Sequence, residues 1–380
     1  MNSFITTLYP SVDLIDSVVF KDTNSEENIY FSKPFLKAFE ISNPQIEFKY
    51  ISISDADKNT LALTLVQVIS LNVEGMLKNI KVAPLVRKGL GLLFCNEHIK
   101  IMFCGNVFLS GEHGISTAET SSKKDIYSEI GTALDAVAAN TKPMHAIFIK
   151  DFKLASLVHT QEFLNFGYSE IKVEPNMIIQ LKPEWKTFED YKNILKSKYR
   201  VKANKADSKS STLETRLFSD QDLETYKHEL QALYQNTIDK ASFNAQVLNL
   251  DTYSHLSASL KDNFIVKGYF LENRLVGFLT ALVNDNKLDA HFIGLDYELN
   301  KSHAIYPRIL NDYIRIGIEK QVDSINLGRT ASEIKTTIGA NPLELSCYIK
   351  HKNPFLNSLV KPFLRRIKIK EFKQHSPFKN

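Results

Sequence analysis

The chain has 380 residues, of which 43% are hydrophobic and 24% are charged, and its formal net charge is +4. This composition is typical of globular domains and excludes a disordered or fibrous protein. The charge is unevenly distributed, because residues 350–380 carry nine Lys or Arg and a single acid, Glu371, which suggests an electrostatic role for this end of the chain.

Neither membrane insertion nor secretion is predicted. The longest nearly apolar stretch, Leu61 to Val73, contains polar residues and is shorter than the roughly 20 residues of a membrane-spanning helix. The first 20 residues contain Asp13 and Asp16 but no Lys or Arg, whereas a secretory signal begins with basic residues. Three cysteines without a CxxC pair argue against a disulfide framework or a cysteine zinc site. We therefore expect a cytoplasmic protein.

Helix and strand patterns alternate along the N-terminal half. Phe35 and Phe39 recur at helical spacing, and Pro34 suits a first helical turn, so a helix is predicted over residues 32–42. Runs rich in β-branched and aromatic residues come next. They predict strands over 48–53, 61–71 and 99–109. The N-terminal half is therefore expected to mix helices and strands.

An approximate internal repeat is the most informative feature of the chain. Strand, helix, strand and helix patterns recur in the same order with an offset of roughly 170 to 190 residues. In the first half the strand, helix and strand are predicted at 98–109, 126–140 and 145–152, followed by a helix that ends in residues 162–168. In the second half they are predicted at 287–299, 306–320, 323–330 and 331–338, followed by a strand at 343–350. Two copies of one unit indicate two similar domains.

Two segments resemble a known superfamily. Phe163 to Tyr168 (FLNFGY) resembles the end of the fourth helix of GNAT acyltransferases. Phe188 to Ala206 (FEDYKNILKSKYRVKANKA) resembles the helix at the head of the second domain of FemAB-like and BioF2-like proteins. The resemblance covers most of the chain, about residues 30–350. It implies an α+β protein with two tandem GNAT-like domains, each with a mixed central sheet, that transfers an acyl or aminoacyl group to an amine.

The resemblance also implies the domain boundaries. Residues 1–185 are expected to form a degenerate N-terminal GNAT-like domain, and residues 186–350 a catalytic C-terminal one. Residues 351–380 are expected to form a basic amphipathic tail. The chemistry is therefore expected in the second domain, with the first domain shaping the acceptor cleft.

The predicted strand at 287–299 carries the candidate general base. Alternation along a strand places Asp289, His291, Ile293 and Leu295 on one face. A histidine can take a proton from an ammonium nucleophile near neutral pH, and an aspartate two residues away can orient the ring and stabilise its charge. We predict His291 and Asp289 as catalytic residues. A hydrogen-bonded structural histidine is the alternative interpretation.

Residues 300–305 (NKSHAI) are predicted to form a loop that leads into the helix at 306–320. In GNAT enzymes this loop and the helix start bind the pyrophosphate of coenzyme A through backbone N–H groups. The resemblance therefore implies donor-binding residues here, namely Lys301, Ser302, His303 and Arg308. The glycine-rich motif of the family is absent. Either cationic side chains replace it, or the acyl group is carried by a protein or by tRNA; a polar loop without a ligand is the third interpretation.

The helix at 306–320 has a clear apolar stripe. Its buried side is predicted to hold Tyr306, Ile309, Leu310, Tyr313, Ile314 and Gly317. Its outer side is predicted to hold Arg308, Asp312, Arg315 and Glu319. Tyr306 lies at the start of the helix and is also predicted as a substrate contact.

More candidates follow the next predicted strand, at the kind of strand end where open α/β sheets bind ligands. Arg329 and Thr330 leave the sheet there, and Glu333 lies in the short helix that comes next. The run GRTASEIKTTIGA resembles the closing segment of the Fem and BioF2-like groups, which places Lys335 on a matching position. We predict Arg329, Thr330 and Lys335 as substrate contacts and Glu333 as a further catalytic residue. A structural ion pair for Arg329 and a helix-dipole role for Glu333 are the alternatives.

Two basic segments indicate anionic partners. The predicted helix over 189–206 presents six Lys or Arg around an apolar stripe, which suits a polyanionic substrate as well as plain solvation. The tail, residues 350–380, combines its cations with large apolar residues and is predicted to bind an anionic membrane surface. Packing of these apolar residues on the second domain is the alternative.

We therefore predict a cytoplasmic N-acyltransferase, peripheral on the inner face of the membrane if the tail binds lipid. It would move an acyl group from acyl-CoA or an acyl carrier protein to a small-molecule or lipid amine in envelope or lipid biosynthesis. The mechanism requires no metal ion and no permanently bound cofactor. The alternatives are a Fem-like transfer from charged tRNA to a peptidoglycan precursor, and a non-catalytic binding module. Phosphate-loop, zincin, serine-hydrolase and RNA-reader motifs are absent from the sequence, and no DNA partner is expected.

Overall fold

The computed structural model describes residues 4–23, 25, 27–72, 98–119, 123–241, 244–364, 366, 369 and 371–379. Its strands are β1 (Ile5–Tyr9), β2 (Glu47–Ser54), β3 (Thr60–Asn72), β4 (His98–Cys104), β5 (Ile115–Thr117), β6 (Ala146–Lys153), β7 (Ser169–Gln180), β8 (Glu214–Leu217), β9 (Phe264–Leu271), β10 (Arg274–Asn284), β11 (Lys287–Leu295), β12 (Ser324–Asn326) and β13 (Asn341–His351). Its helices are α1 (Ser17–Asp22), α2 (Lys33–Ser42), α3 (Lys123–Asn140), α4 (Leu157–Thr160), α5 (Phe188–Asn193), α6 (Ser197–Lys209), α7 (Asp220–Thr225), α8 (Lys227–Lys240), α9 (Asp251–Leu260), α10 (Tyr297–His303), α11 (Ile305–Glu319), α12 (Ser332–Thr336) and α13 (Pro354–Leu364).

The chain divides into two compact units with the same strand arrangement. Unit 1 consists of Met1–Val173, Ser242–Leu248 and Glu344–Ile369, and unit 2 of Glu174–Ala241, Asn249–Leu343 and Lys370–Asn380. The sheet of unit 1 runs β1-β2-β3-β4-β6-β13, in which β4 and β6 are parallel and the other neighbours are antiparallel. The sheet of unit 2 runs β8-β9-β10-β11-β12-β7, in which β11 and β12 are parallel and the others antiparallel. The predicted internal repeat is therefore confirmed.

Each sheet is completed by a strand from the other half of the sequence. In unit 1, β13 pairs with β6, with Leu345 opposite Lys153. In unit 2, residues 174–180 of β7 supply the last strand, with Ile179 opposite Ile325 of β12. The boundaries therefore differ from the predicted division at residues 185 and 350. Exchange of a terminal strand leaves the local strand and helix pattern unchanged, so sequence periodicity does not reveal it.

Most predicted elements lie close to their expected positions, and the differences have local causes. β4 ends at Cys104 and not at residue 109, because Gly105 has φ +127°, a conformation that glycine adopts far more easily than other residues. The helix predicted over 189–206 is two helices, α5 and α6, since Lys196 has extended backbone angles. β12 has three residues, fewer than predicted.

The sheet of unit 2 has helices on both faces. On one face, Tyr199 of α6 and Ile309 of α11 belong to a core cluster with Leu279 and other residues of the sheet. On the other face, α8 comes so close to β11 that a Cβ at Gly294 would lie 2.8 Å from the backbone nitrogen of Tyr234. Glycine at this position therefore allows α8 to pack directly on the strand.

A β-bulge in β11 changes which residues share a face. Between two regular pairs β11 has one residue more than β10, so His291 and Phe292 together lie opposite Thr280. Ile293 consequently packs with Ala290 in the cluster on the α11 side of the sheet. The prediction that His291 and Ile293 share a face is therefore wrong, because the extra residue reverses the alternation.

The end of the chain is anchored within unit 2. The ring of Phe378 packs over Gly339, and its centroid lies 5.9 Å from that of Trp185. The backbone N–H of Lys196 donates to the carbonyl of Pro377 at 2.8 Å. Residues 351–380 are therefore not one tail, because their last part belongs to a folded unit. None of the helices in the described ranges has the length and hydrophobicity that crossing a membrane requires.

Candidate active site

A pocket of about 450 Å³ lies in unit 2 between α6, α10, α11 and α12. Much of its wall is apolar, and its lining includes Leu195, Ala203, Ala206, Pro307, Leu310 and Ile338. The lining also includes four exposed lysines, Lys202, Lys205, Lys209 and Lys301. An apolar cavity beside several cations suits an organic group that is carried by a polyanion.

The helix start beside this pocket differs from the predicted loop over residues 300–305. This segment is the last turn of α10 followed by Ala304, whose φ of +49° redirects the chain into α11. Lys301 lines the pocket. The hydroxyl of Ser302 donates to the Leu299 carbonyl at 3.0 Å, and His303 Nδ1 lies 3.2 Å from Thr212 Oγ1. The structure therefore brings Lys301 to the pocket, while Ser302 and His303 contact other groups.

Backbone N–H groups at the start of α11 are poorly available for binding phosphate. Pro307 has no N–H, and the N–H of Tyr306 donates to Asn300 Oδ1 at 2.8 Å. The ring of Tyr306 packs against the core cluster of unit 2, and burial raises the pKa of its hydroxyl. An anion at this helix start would therefore depend on side-chain cations.

Helix α6 supplies three of those cations. Lys202, Lys205 and Lys209 are three and four residues apart, which places them on one side of the helix. Lys209 Nζ donates to the carbonyl of Lys301 at 3.1 Å, so the fourth lysine lies directly beside the row. Like charges this close repel one another, and a polyanionic ligand would relieve the repulsion.

A buried carboxylate on α11 binds the two arginines of this helix and a lysine of β9. Asp312 is 0% exposed and lies 3.0 Å from Lys267, 3.0 Å from Arg308 and 2.6 Å from Arg315, and it accepts the hydroxyl of Tyr269 at 2.9 Å. Burial by itself would raise the pKa of Asp312, but the charges of Lys267 and Arg308 outweigh that effect and lower it. The prediction that Asp312 is exposed is wrong. The guanidinium of Arg308, a predicted donor contact, is bound to this carboxylate.

The same side of α11 holds α6 in place. Arg315 donates to Asp207 Oδ2 at 2.6 Å, and Asn311 donates to Asp207 Oδ1 at 3.0 Å. Asn311 also donates to the carbonyl of Ala203 at 3.1 Å. These contacts fix the position of the lysine row relative to the start of α11.

His291 lies at the bulge of β11, on the face covered by α8 and α9. Its ring centroid is 6.1 Å from that of Tyr253 and 4.3 Å from that of Phe292. Asp289, two residues earlier, accepts a hydrogen bond from Asn326 Nδ2 of β12 at 2.7 Å. Asp289 therefore joins β11 to β12, and the roles predicted for it and for His291 remain predictions.

The two parallel strands separate just beyond this contact. β12 pairs with β11 from Lys287 to Asp289, and the last pair is Asp289 with Asn326. β11 continues to Leu295. The chain after Asn326 instead pairs with β7, since the N–H of Leu327 donates to the Met177 carbonyl at 2.8 Å. This divergence opens the sheet next to the bulge that carries His291.

Arg329 and Thr330 lie in a turn at this opening. Gly328 has φ +69° and Thr330 φ +63°, a left-handed conformation that is unfavourable for a β-branched residue. Lys335 Nζ donates to the carbonyls of Leu327 at 2.7 Å, Gly328 at 3.3 Å and Arg329 at 2.6 Å. The side-chain nitrogen of Lys335 therefore braces the turn that positions Arg329 and Thr330.

Stability should depend on the ionisation of Lys335. Burial lowers its pKa from 10.5 to about 7, although the charge of Glu174 acts in the opposite direction. Between these two values the unfolded chain binds one more proton than the folded one, so this residue makes stability rise with pH. The free energy of unfolding is measured by urea denaturation for the wild type and for Lys335→Met. The difference between them should shift in favour of the wild type from pH 7 to pH 9, by up to about 1.4 kcal/mol per pH unit.

Lys287→Met is the control for this measurement, because Lys287 is exposed at the start of β11. Its difference from the wild type should not change with pH over the same interval. A flat difference for Lys335→Met as well would contradict the lowered pKa.

One contact beside the pocket has no signal in the sequence. Tyr199, which lines the pocket, has its hydroxyl oxygen 3.2 Å from Nδ1 of His375. Nε2 of the same imidazole lies 3.5 Å from Oε1 of Glu333, which is exposed on α12. The catalytic role of Glu333 remains a prediction, and its observed partner is His375. A histidine among the cations near the end of the chain shows no periodicity that could have identified it.

Comparison with solved structures identifies similar chains that cover almost all of this one. FemX has a TM-score of 0.56 at 10% identity, over 91% of this chain and 99% of that chain. A tandem GNAT protein from the clavulanic acid biosynthesis pathway has a TM-score of 0.54 at 7% identity, over 93% and 99%. L-PGS from Bacillus licheniformis has 0.51 at 10% identity, over 93% and 97%. No family model and no curated protein matches the sequence.

The chain therefore has the tandem GNAT fold, as predicted: an α+β fold with two similar units built on mixed sheets. A fold does not define a reaction, so the function has to be argued from the pocket and from the strands beside it.

Proposed function

We propose that this protein is an N-acyltransferase whose thioester donor binds in the pocket of unit 2. The observation that carries the proposal is the cavity of about 450 Å³ at the start of α11, with an apolar wall and four lysines in its lining. The phosphates of acyl-CoA, or of the prosthetic group of an acyl carrier protein, would lie against the lysines. The apolar wall would hold the uncharged part of the donor.

Side-chain cations explain how a donor site can exist without the glycine-rich motif. Since Pro307 has no N–H and that of Tyr306 is bound to Asn300, the helix start has little free backbone for a phosphate. The side chains of Lys202, Lys205 and Lys209, which line the pocket, would bind the phosphate instead of backbone N–H groups. Their position is fixed by the contacts between α6 and α11.

The chemistry would take place where β11 and β12 separate. The acceptor amine attacks the thioester carbonyl, a C–N bond forms and the C–S bond breaks. His291 takes the proton of the attacking amine, and the departing thiolate is protonated to the thiol. Backbone N–H groups would stabilise the oxyanion. Arg329 and Thr330, in the turn at the opening, would contact the acceptor, an amine of a small molecule or a lipid.

Removing charge from the lysine row should weaken donor binding. We expect the double variant Lys205→Gln/Lys209→Gln to bind a coenzyme A thioester about 10-fold less tightly, because two phosphate contacts are lost. The measurement is isothermal titration with acetyl-CoA and with a long-chain acyl-CoA. The matched control is Lys182→Gln/Lys186→Gln, which removes two exposed lysines of unit 2 away from the pocket and should leave affinity unchanged.

The same titration distinguishes the donors. An exposed lysine row also suits the phosphates of RNA, which keeps a Fem-like transfer from charged tRNA as the second candidate. Binding of acyl-CoA or acyl carrier protein, weakened by the lysine substitutions, supports the thioester proposal. Binding of charged tRNA alone favours the second candidate. Binding of neither would contradict both and favour a non-catalytic module.

A further inference from the structure

Helix α13 of unit 1 exposes a row of large apolar side chains. Phe355, Leu359 and Phe363 follow one another at intervals of four residues and are 71%, 47% and 58% exposed. This spacing places them on one face of the helix. Three large apolar side chains on one exposed face are unusual for a surface that meets only water.

The opposite side of α13 is attached to unit 1 through Asn357, which is buried. Its side-chain oxygen accepts the N–H of His351 at 3.0 Å, and its side-chain nitrogen donates to the carbonyl of Gly167 at 2.9 Å. The helix is therefore held with its apolar face outward.

The segment just before Gly167 extends the apolar surface. Leu154, Val158 and Leu164 are 76%, 69% and 45% exposed. The backbone N–H of Gly167 donates to the carbonyl of Leu164 at 3.0 Å, so this segment ends where Asn357 attaches α13. The exposed apolar residues thus come from two adjoining parts of unit 1.

The charges within the segment of α13 are all positive, whereas residues 154–164 contain one acid, Glu162. No acid occurs from Lys350 to Lys370. Lys350 is used internally, since its Nζ lies 2.5 Å from Asp135 Oδ1. The other cations of this segment are Lys352, Lys361, Arg365, Arg366, Lys368 and Lys370. A helix that exposes an apolar face, in a segment of sequence whose charges are all positive, matches the surface of an anionic membrane.

We propose that α13, together with residues 154–164, docks unit 1 on an anionic lipid surface. Phe355, Leu359 and Phe363 enter the headgroup region, and the cations beside them bind lipid phosphates. A symmetric pair of chains in contact through this face would bring two sets of like charges together, so a second copy is a poor occupant. The anchored residues 371–379 take no part. This inference does not depend on the proposed enzymatic function.

The test is co-sedimentation of the full-length chain with vesicles of phosphatidylglycerol and phosphatidylcholine. Phe355→Ser/Phe363→Ser should lower the partition coefficient at least about 10-fold, because two inserting rings are lost. The matched control is Leu14→Ser/Val18→Ser. These two apolar residues of unit 1 are 60% and 52% exposed and lie far from α13 in the sequence. This control should bind like the wild type, and circular dichroism should show that both variants are folded.

A second variant tests the charge requirement. Lys361→Glu/Arg366→Glu should also weaken binding at least about 10-fold, and added salt should weaken binding of the wild type. The proposal is overturned if the wild type does not sediment with these vesicles, or if it binds vesicles of phosphatidylcholine alone equally well. It is also overturned if the Phe variant binds like the wild type. Sedimentation velocity that shows self-association, lost in the Phe variant and without vesicle binding, would assign the surface to a second copy instead.

Discussion

Replacing His291 with alanine should slow acyl transfer by about 100- to 10,000-fold and leave the affinity for the thioester donor nearly unchanged. The imidazole lies at the bulge of β11 beside the opening between β11 and β12, whereas the lysines that would bind the donor phosphates lie on α6 and α10. Removing the ring would therefore remove the proton acceptor without touching the donor site. Release of free thiol from an acyl-CoA in the presence of a panel of amines measures the rate.

The pH profile separates a base from a structural residue. The loss should shrink as pH rises, because the acceptor ammonium then deprotonates without help. His291→Gln, which keeps polar contacts but cannot act as a base, should lose activity like the alanine variant, and Asp289→Asn should lose less. If His291→Gln is folded and fully active at neutral pH, His291 is structural and the base has to be sought at Glu333 or in a chain of water molecules.

Replacing Asp312 with asparagine should lower the free energy of unfolding by about 3 kcal/mol. The substitution leaves Lys267, Arg308 and Arg315 around a neutral amide in a site that is 0% exposed in the wild type. Since Arg315 also binds Asp207 of α6, loss of this carboxylate should loosen the lysine row as well. Urea denaturation measures the stability, and donor titration measures the effect on the pocket.

The pH dependence of this effect follows from the lowered pKa of Asp312. The folded state favours its ionised form, so the stabilisation is fully present above the unfolded value of 3.8 and is lost as pH falls through the folded pKa. The matched control is Asp207→Asn, at a carboxylate that is 24% exposed, which should cost about 1 kcal/mol. Equal stability of Asp312→Asn and the wild type at pH 7 would show that the buried carboxylate is dispensable.

Local patterns in the sequence were sufficient to predict the repeat and most of its elements. The apolar residues of α2 and α11 recur with the 3.6-residue period of a helix, because each helix buries one face. The predicted order of strands and helices reproduced the parallel strand pair of each sheet, β4 with β6 and β11 with β12, and the helix between the two strands of each pair. Strands β1, β5 and β7 to β10 were not predicted. Exchange of β7 and β13 depends on which partner a strand meets, and both arrangements have the same local pattern.

Only part of the candidate site could be predicted from the sequence, because its geometry also depends on which strands and helices meet in the folded chain. Alternation predicted one shared face for His291 and Ile293, but a single extra residue opposite Thr280 reverses it, and such an insertion has no strong sequence signature. From the helical spacing on α11, Asp312 was predicted to be exposed, because a charged residue outside the apolar stripe is normally solvated. Asp312 can be buried because β9 and α11 together place three cations around its carboxylate.

The sequence by itself determined the tandem repeat, the row of lysines on α6, and the cluster of cations near the end of the chain. Only the tertiary structure decided that Lys301 joins that row, that His375 lies against Tyr199, and that the cationic end is divided between α13 and an anchored segment. The first group depends on residues a few positions apart, whose spacing fixes their geometry. The second depends on residues about 90 to 180 positions apart, which meet only because the packing of helices and sheet brings them together.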